Sequence, residues 1–283
     1  MRMVTNVKSL RRLIADARKS KKTVGFVPTM GFLHEGHASL MRQSVKENDV
    51  TVLSIFVNPK QFGPKEDLKN YPRDIKKDEK LVKKENIDII FYPSVDEIYP
   101  SGYLTNIEVS GLSDKLCGES RPGHFRGVAT VVLKLLNMVA PDVMYLGQKD
   151  AQQAFIIRRM VADLNVPVKV AVMPTVREED GLAMSSRNTY LSPEERTQAA
   201  VLYEALSQGR LNIKAGERSA SKLVQVIRRK IEKQTSGIVD YIQCVDTQNL
   251  LPVSKIAGEV LIALAVKFGR ARLIDNVIVN VND

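Results

Sequence analysis

From residue 23 onward, short β-prone apolar runs alternate with segments whose apolar positions recur at helical spacing. TVGFVP at 23–28 predicts a strand, and Ala38, Met41 and Val45 then fall on one face of a helix. DVTVLSIFV at 49–57 is nearly continuous in apolar and β-branched residues, the pattern of a strand buried on both faces in a parallel sheet. A lysine-rich helix over about 73–86 and a strand over 88–92 follow, before a stretch containing Pro and Gly interrupts the series. Beyond it, 124–139 predicts a mostly apolar helix, 142–146 a strand and 151–164 a helix with Ala154, Ile157, Val161 and Leu164 on one stripe. VPVKVAVMP at 166–174 predicts a closing strand. Residues 1–22 are basic but contain Asp16 and no continuous apolar stretch, so they read as a first amphipathic helix rather than a targeting segment. Repeated strand-helix-strand units predict an α/β fold built on a Rossmann-like, doubly wound parallel sheet, with ligand sites at the carboxyl ends of its strands.

The pattern changes after Val176. A polar, glycine-containing loop leads to Ser192-Pro193-Glu194-Glu195, a helix start with serine as the cap, proline in the first turn and acids facing the positive helix end. Two helices and strand-like runs near 239–245, 260–266 and 271–274 then predict a second, smaller α+β domain. A chain of 283 residues suits two such domains, with the boundary placed at 1–176 and 177–283, and Gly181 in the intervening loop is compatible with a hinge.

Composition narrows the function classes. No apolar run approaches the ~20 residues of a membrane helix, so no membrane association is expected. The two cysteines, Cys117 and Cys244, fit no metal or redox spacing. They read as small core residues of a cytoplasmic protein. A formal charge of +10 suits either nucleic acid or a small polyanion such as a nucleotide. Its densest groups, Lys76, Lys77, Lys80, Lys83 and Lys84 and then Arg228, Arg229 and Lys230, come without the aromatic pattern of an RNA-binding sheet and read as solvated helix faces, so no nucleic-acid partner is expected.

Candidate chemistry concentrates in FVPTMGFLHEGHASL, residues 26–40, at the junction of the first sheet strand and the next helix. Two of the chain's three histidines, His34 and His37, meet there. With a helix starting near Glu35, both imidazoles can lean toward its amino end, where unpaired N–H groups attract anions. The same spacing also suits a helix cap or a metal pair. A Walker-type phosphate loop is absent.

HEGH at 34–37 resembles the H-x-G-H signature of the nucleotidyltransferase and class I aminoacyl-tRNA synthetase superfamily. PTMGFLHEGH, FVNPKQFGPKED, RPGHFRGV, YLGQKDAQQ and MSSRN, in this order, are together similar to the pantothenate synthetase family over most of the chain. The resemblance implies an ATP-dependent ligase that converts pantoate to an acyl adenylate and joins it to β-alanine. It implies ATP contacts at Met30, Gly31, Phe32, Leu33, His34, Glu35, Gly36 and His37. His37 is the favoured catalytic residue and His34 the second, with turn stabilisation as the plainer role for His34. It further implies nucleotide contacts at Gly147, Gln148, Lys149 and Asp150, with Lys149 reaching phosphate, although Lys149-Asp150 also reads as the polar start of a helix. Val176 would meet adenine.

MSSR at 184–187 resembles the superfamily's K-M-S-K-S loop, with Met184 where the first lysine would stand. The resemblance therefore leaves pyrophosphate neutralisation to Arg187 and Lys149, helped by Ser185 and Ser186. Gln61, Gln153 and Asn58 match pantoate-binding positions. Phe56 or Phe62 would face its methyls, and Arg121 and His124 would border the path of the second substrate. Magnesium is expected with ATP, with Asp78 as its direct carboxylate ligand or one step removed from it, and the family suggests a homodimer.

Overall fold

The computed structural model describes residues 1–64 and 66–281. Lys65, inside the FVNPKQFGPKED motif, and residues 282–283 lie outside the described set. Two compact units are formed, one from residues 1–114, 118–147 and 152–174, the other from 115–117, 148–151 and 175 onward.

The first unit is built on six parallel strands: β1 (Arg2–Val4), β2 (Val24–Thr29), β3 (Val50–Ile55), β4 (Ile89–Phe91), β5 (Val143–Gly147) and β6 (Lys169–Met173). Their order is β1-β4-β3-β2-β5-β6. The intervening helices are α1 (Val7–Lys19), α2 (Glu35–Glu47), α3 (Ile75–Lys84), the single turns α4 (Val95–Ile98) and α5 (Cys117–Ser120), α6 (His124–Val139) and α7 (Ala151–Asp163). The expected Rossmann-like sheet is present, and every residue of β3 is buried, as an apolar strand covered on both faces requires. Val27, Leu53, Ile90, Met41 and Val82 are each fully buried, joining sheet and helices in one core.

The amino terminus differs from the expectation of a helix throughout. Residues 2–4 pair with β4, and the helix begins only at Val7, where the side chain of Asn6 accepts the Ser9 N–H at 2.8 Å. The basic stretch conceals this strand because two of its three residues are exposed.

Strand order fixes where a ligand can sit. The chain passes from β2 to β3 and β4 on one side, then returns to β5 on the other side of β2. In sheets of this order ligands bind where the strand order reverses, which here falls at the loops leaving β2 and β5. Both loops carry sequence motifs, residues 30–37 and 148–150.

The second unit combines α8 (Pro193–Ala199), α9 (Val201–Lys214) and α10 (Ala220–Gln234) with an antiparallel sheet, β7 (Ile238–Asp246), β8 (Gly258–Phe268) and β9 (Ala271–Val281). Ser192 caps α8 in a full capping box with Glu195. Three helices stand where two are expected because the chain breaks for one residue, Ala200, between α8 and α9. The last strand extends to Val281, well beyond 274, with Leu273, Val277 and Val279 turned into the core.

Candidate active site

After Thr29 the chain leaves β2 through a turn that two residues make in the left-handed region, Gly31 at φ 81° and Phe32 at φ 51°. Asp78, 2% exposed on the inward side of α3, accepts the Phe32 N–H at 2.9 Å and the Leu33 N–H at 2.7 Å. A left-handed conformation costs a non-glycine residue about 1–2 kcal/mol. Hydrogen bonds to a charged group contribute ~1.5–3 kcal/mol each, so the pair outweighs the cost at Phe32. Burial pushes the Asp78 carboxyl above its ordinary value, opposed by the two N–H donors.

The turn delivers His34 to the N-cap of α2, which begins at Glu35. His34 Nδ1 accepts the Gly36 N–H at 3.1 Å, and His37 Nδ1 accepts the His34 N–H at 3.3 Å. The rings lie 4.1 Å apart between centroids. With each Nδ1 acting as acceptor, the proton of each neutral ring sits on Nε2. The cap role of His34 is thus built into the fold. Glu35 pairs with Arg42, which also binds Glu85 at 2.9 Å.

A second cluster surrounds the single helical turn Pro59–Gln61. Asn58, 1% exposed, donates from Nδ2 to Gln61 Oε1 and to the Gly127 carbonyl, each at 3.1 Å. Its Oδ1 accepts the Tyr99 hydroxyl at 2.9 Å, and Gln61 Nε2 reaches Met30 Sδ at 3.1 Å. This contact ties the amide cluster to the histidine-bearing turn. Gly127 lets α6 approach the Pro59–Gln61 turn: a Cβ there would lie 2.2 Å from the Lys60 carbonyl oxygen.

Arg121 grips Glu66 through two nitrogens, each at 2.7 Å, and places Nη1 3.0 Å from His124 Nε2. Because a guanidinium only donates, Nε2 must accept, and His124 Nδ1 carries the proton given to the Gln61 carbonyl at 2.7 Å. The two residues expected beside the second-substrate path therefore also fix the Gln61 backbone. Phe56 packs on Tyr99 and Phe62 on Tyr71, with centroids 6.2 and 5.8 Å apart. Gln153 is half-buried in the first turn of α7 and makes no hydrogen bond to Asn58 or Gln61.

In the second unit, Gln148, Lys149 and Asp150 form one helical turn immediately after Gly147 and before α7. That geometry is also the polar helix start that the sequence allows. Lys149 Nζ lies 3.7 Å from Asp150. Asn276, 4% exposed on β9, donates to the carbonyls of Gln148 and Lys149 at 3.0 and 2.9 Å. Its neighbour Asp275 takes both arms of Arg177 at 2.6 and 2.9 Å. Sequence reasoning missed this clamp. The signal was present as two adjacent polar residues inside an otherwise apolar run, LIDNVIV.

Val176 lies beyond the end of β6 rather than on it, and its carbonyl accepts the Met184 N–H at 3.0 Å. Ser185 Oγ accepts the Arg187 N–H at 3.3 Å, while Ser186 is buried in the turn that carries Arg187. Arg196 binds Glu178 and Asp180 at 2.6 and 2.5 Å, fastening the loop. Gly181, at φ 91°, would bring a Cβ within 2.6 Å of the Tyr203 ring, so its need for glycine is met by packing and conformation and requires no hinge.

Asp78, the carboxylate the sequence offers beside magnesium, spends one acceptor site of each oxygen on a backbone N–H. Among the described residues, no group of three or more His, Cys, Asp or Glu could hold a metal.

Comparison with known proteins bears on this arrangement. The family model described as pantoate-beta-alanine ligase matches residues 2–278. This chain belongs to the pantoate–β-alanine ligase family. It is 53% identical over 281 residues to the pantothenate synthetase of Caldicellulosiruptor saccharolyticus, covering 99% of this chain and 100% of that one. The pantothenate synthetase of Thermus thermophilus superposes with a TM-score of 0.93 at 45% identity, covering 98% of this chain and 99% of that one. The pantoate-beta-alanine ligase of Francisella tularensis, solved with beta-gamma ATP and beta-alanine, gives a TM-score of 0.82 at 36% identity, covering 98% and 97%. As a member of this ligase family the chain is an enzyme, and its fold is the family's fold.

Proposed function

We propose that this ligase condenses (R)-pantoate with β-alanine through a pantoyl adenylate, with His34 and His37 donating to the ATP phosphates. A carboxylate and an amine do not condense unaided in neutral water, so the carboxylate is activated first. A pantoate oxygen attacks the α-phosphorus, the bond to the bridging oxygen breaks, and pyrophosphate leaves with that electron pair. The amine of β-alanine then attacks the acyl carbon, the bond to AMP breaks, and the nitrogen loses a proton to give pantothenate and AMP.

The observation that carries this reading is the interlocked pair at the start of α2, where both Nδ1 atoms accept backbone N–H groups and both Nε2 atoms are set as donors. Such fixed donors stabilise charge growing on phosphoryl oxygens without reorganising during the reaction. Lys149 and Arg187 take the pyrophosphate charge. Asn58, Gln61 and Gln153 bind the carboxylate and hydroxyls of pantoate, beside an apolar wall for its methyls. The functional division falls at Val176, residues 1–176 recognising ATP and pantoate. Magnesium arrives on ATP with water completing its shell, as suits an ion that keeps few protein ligands. The remaining expectations, a homodimer working in the cytoplasm, belong to the same reading. Among the described residues no helix is long and apolar enough to cross a membrane.

The test is isotope exchange between pyrophosphate and ATP. Exchange should require pantoate and proceed without β-alanine, and amide should form only when the amine is added. An absolute need for β-alanine before exchange begins would overturn the adenylate. Light scattering reads the dimer.

A further inference from the structure

We propose that Asp78 is a positioning residue for adenylation, acting as the built-in anion that holds the Gly31–Leu33 turn and so sets where His34 and His37 stand. The inference rests on the reading of those histidines as phosphate donors.

Successive N–H groups in a left-handed turn converge on a common point and form a concave anion site. Here the Phe32 and Leu33 N–H groups converge on one carboxylate of the same chain, at 2.9 and 2.7 Å, with a different oxygen serving each. These two amides, which the family resemblance would give to ATP, are thereby committed to Asp78. The carboxylate approaches so closely that a methyl on Gly31 would lie 2.9 Å from Oδ2. Glycine is therefore required at position 31 by both its φ of 81° and the anion beside it. Asp78 reaches the turn from the first turn of α3, which Asp74 caps by accepting the Lys77 N–H at 3.0 Å. Lys77 crosses back over the Phe32 ring, with Nζ 5.2 Å from its centroid.

Leu33 immediately precedes the N-cap histidine, so any shift of its N–H passes into His34 and, through the His34 N–H to His37 Nδ1 bond, into His37. Misplacing a reacting or stabilising group by ~1 Å costs about a hundredfold in rate. Asp78 touches no substrate in this account, and its effect passes wholly through the turn.

Asp78→Asn keeps the shape, leaves an oxygen for one N–H and sets an NH2 against the other. Pyrophosphate–ATP exchange should fall roughly ten- to a hundredfold in kcat, with KM for pantoate changed by less than about twofold. Because the effect runs through the histidines, Asp78→Asn added to His37→Ala should slow exchange by no more than about threefold beyond His37→Ala alone, whereas independent losses would multiply. Gly31→Ala, which crowds the carboxylate while retaining its charge, should lower kcat in the same way and decides the matter if Asp78→Asn does not fold. Wild-type exchange in a folded Asp78→Asn variant overturns the proposal, as do fully multiplying losses in the double variant or normal exchange in Gly31→Ala. If His37→Ala itself exchanges normally, the reading of the histidine turn fails first. If His37→Ala is impaired and Asp78→Asn is not, only the present inference falls.

Discussion

Replacing Gly127 by alanine adds one methyl to α6 where that helix meets the turn bearing Asn58 and Gln61. The new carbon would stand 2.2 Å from the Lys60 carbonyl oxygen, 2.5 Å from its carbon and 2.7 Å from the Gln61 nitrogen. All three are backbone atoms, so no side chain can rotate aside. Helix and turn must separate by at least about 1 Å to restore ordinary contact. The separation strains the Asn58 bond to the Gly127 carbonyl, already 3.1 Å long, and carries Gln61 away from its place. Overpacking of this kind costs ~1–3 kcal/mol, which for a chain of this size lowers Tm by roughly 2–5 °C. If Asn58 and Gln61 hold pantoate, the same ~1 Å shift lowers kcat/KM for pantoate by about a hundredfold. Initial rates of pyrophosphate–ATP exchange against pantoate concentration, beside a melting curve, measure both effects. A Gly127→Ala variant that melts lower but binds and activates pantoate normally would refute the assignment of this turn. One unchanged in both would refute the steric argument as well.

Asn276→Ala removes two donors from the carbonyls of Gln148 and Lys149. KM for ATP should rise by up to about thirtyfold, given ~1 kcal/mol for each lost bond, while initial-rate titrations show KM for pantoate nearly unchanged. Glu66 is pushed up by burial but pulled further down by the Arg121 bond and charge, so its carboxyl lies below the ordinary range. Its stabilising contribution is therefore present above about pH 4.3 and lost as pH falls through the folded value. Glu66→Gln should melt below wild type at pH 7 and converge with it toward pH 3, as a series of melting curves would show. Burial pushes the Cys244 thiol up to about 11, so iodoacetamide at pH 8 should leave it unlabelled in the native protein and label it in urea. Mass spectrometry reads the site.

Elements carried by periodicity were legible in advance: α6 spans 124–139 as its apolar stripe predicts, and α8 starts at the Ser192 cap. The β1 strand was not, because three residues with two exposed side chains carry no periodic signal and only pairing with Ile89–Phe91 makes them a strand. At the site, HEGH located the helix start, yet nothing in its letters shows which ring nitrogen faces which N–H. The backbone partners of Asp78 were hidden for the same reason. A carboxylate's partner can be a backbone amide 45 positions away, and backbone amides are present at every residue whatever its name. Gly127 reads as an unremarkable helix glycine until the Lys60 carbonyl is placed beside it.

The histidine pair also bears on how this turn could change over evolution. Each ring is tied to the backbone by one nitrogen, and in the proposed role it meets phosphate with the other, so a single substitution ordinarily removes architecture and reactivity together. Asparagine is among the best helix caps and can take over the His34 Nδ1 role, accepting the Gly36 N–H without supplying an Nε2 donor. One substitution at position 34 thus separates the two duties, leaving a scaffold that keeps its turn while its affinity for anions drifts. The route to a catalytically silent descendant is therefore short, and it does not pass through an unfolded protein.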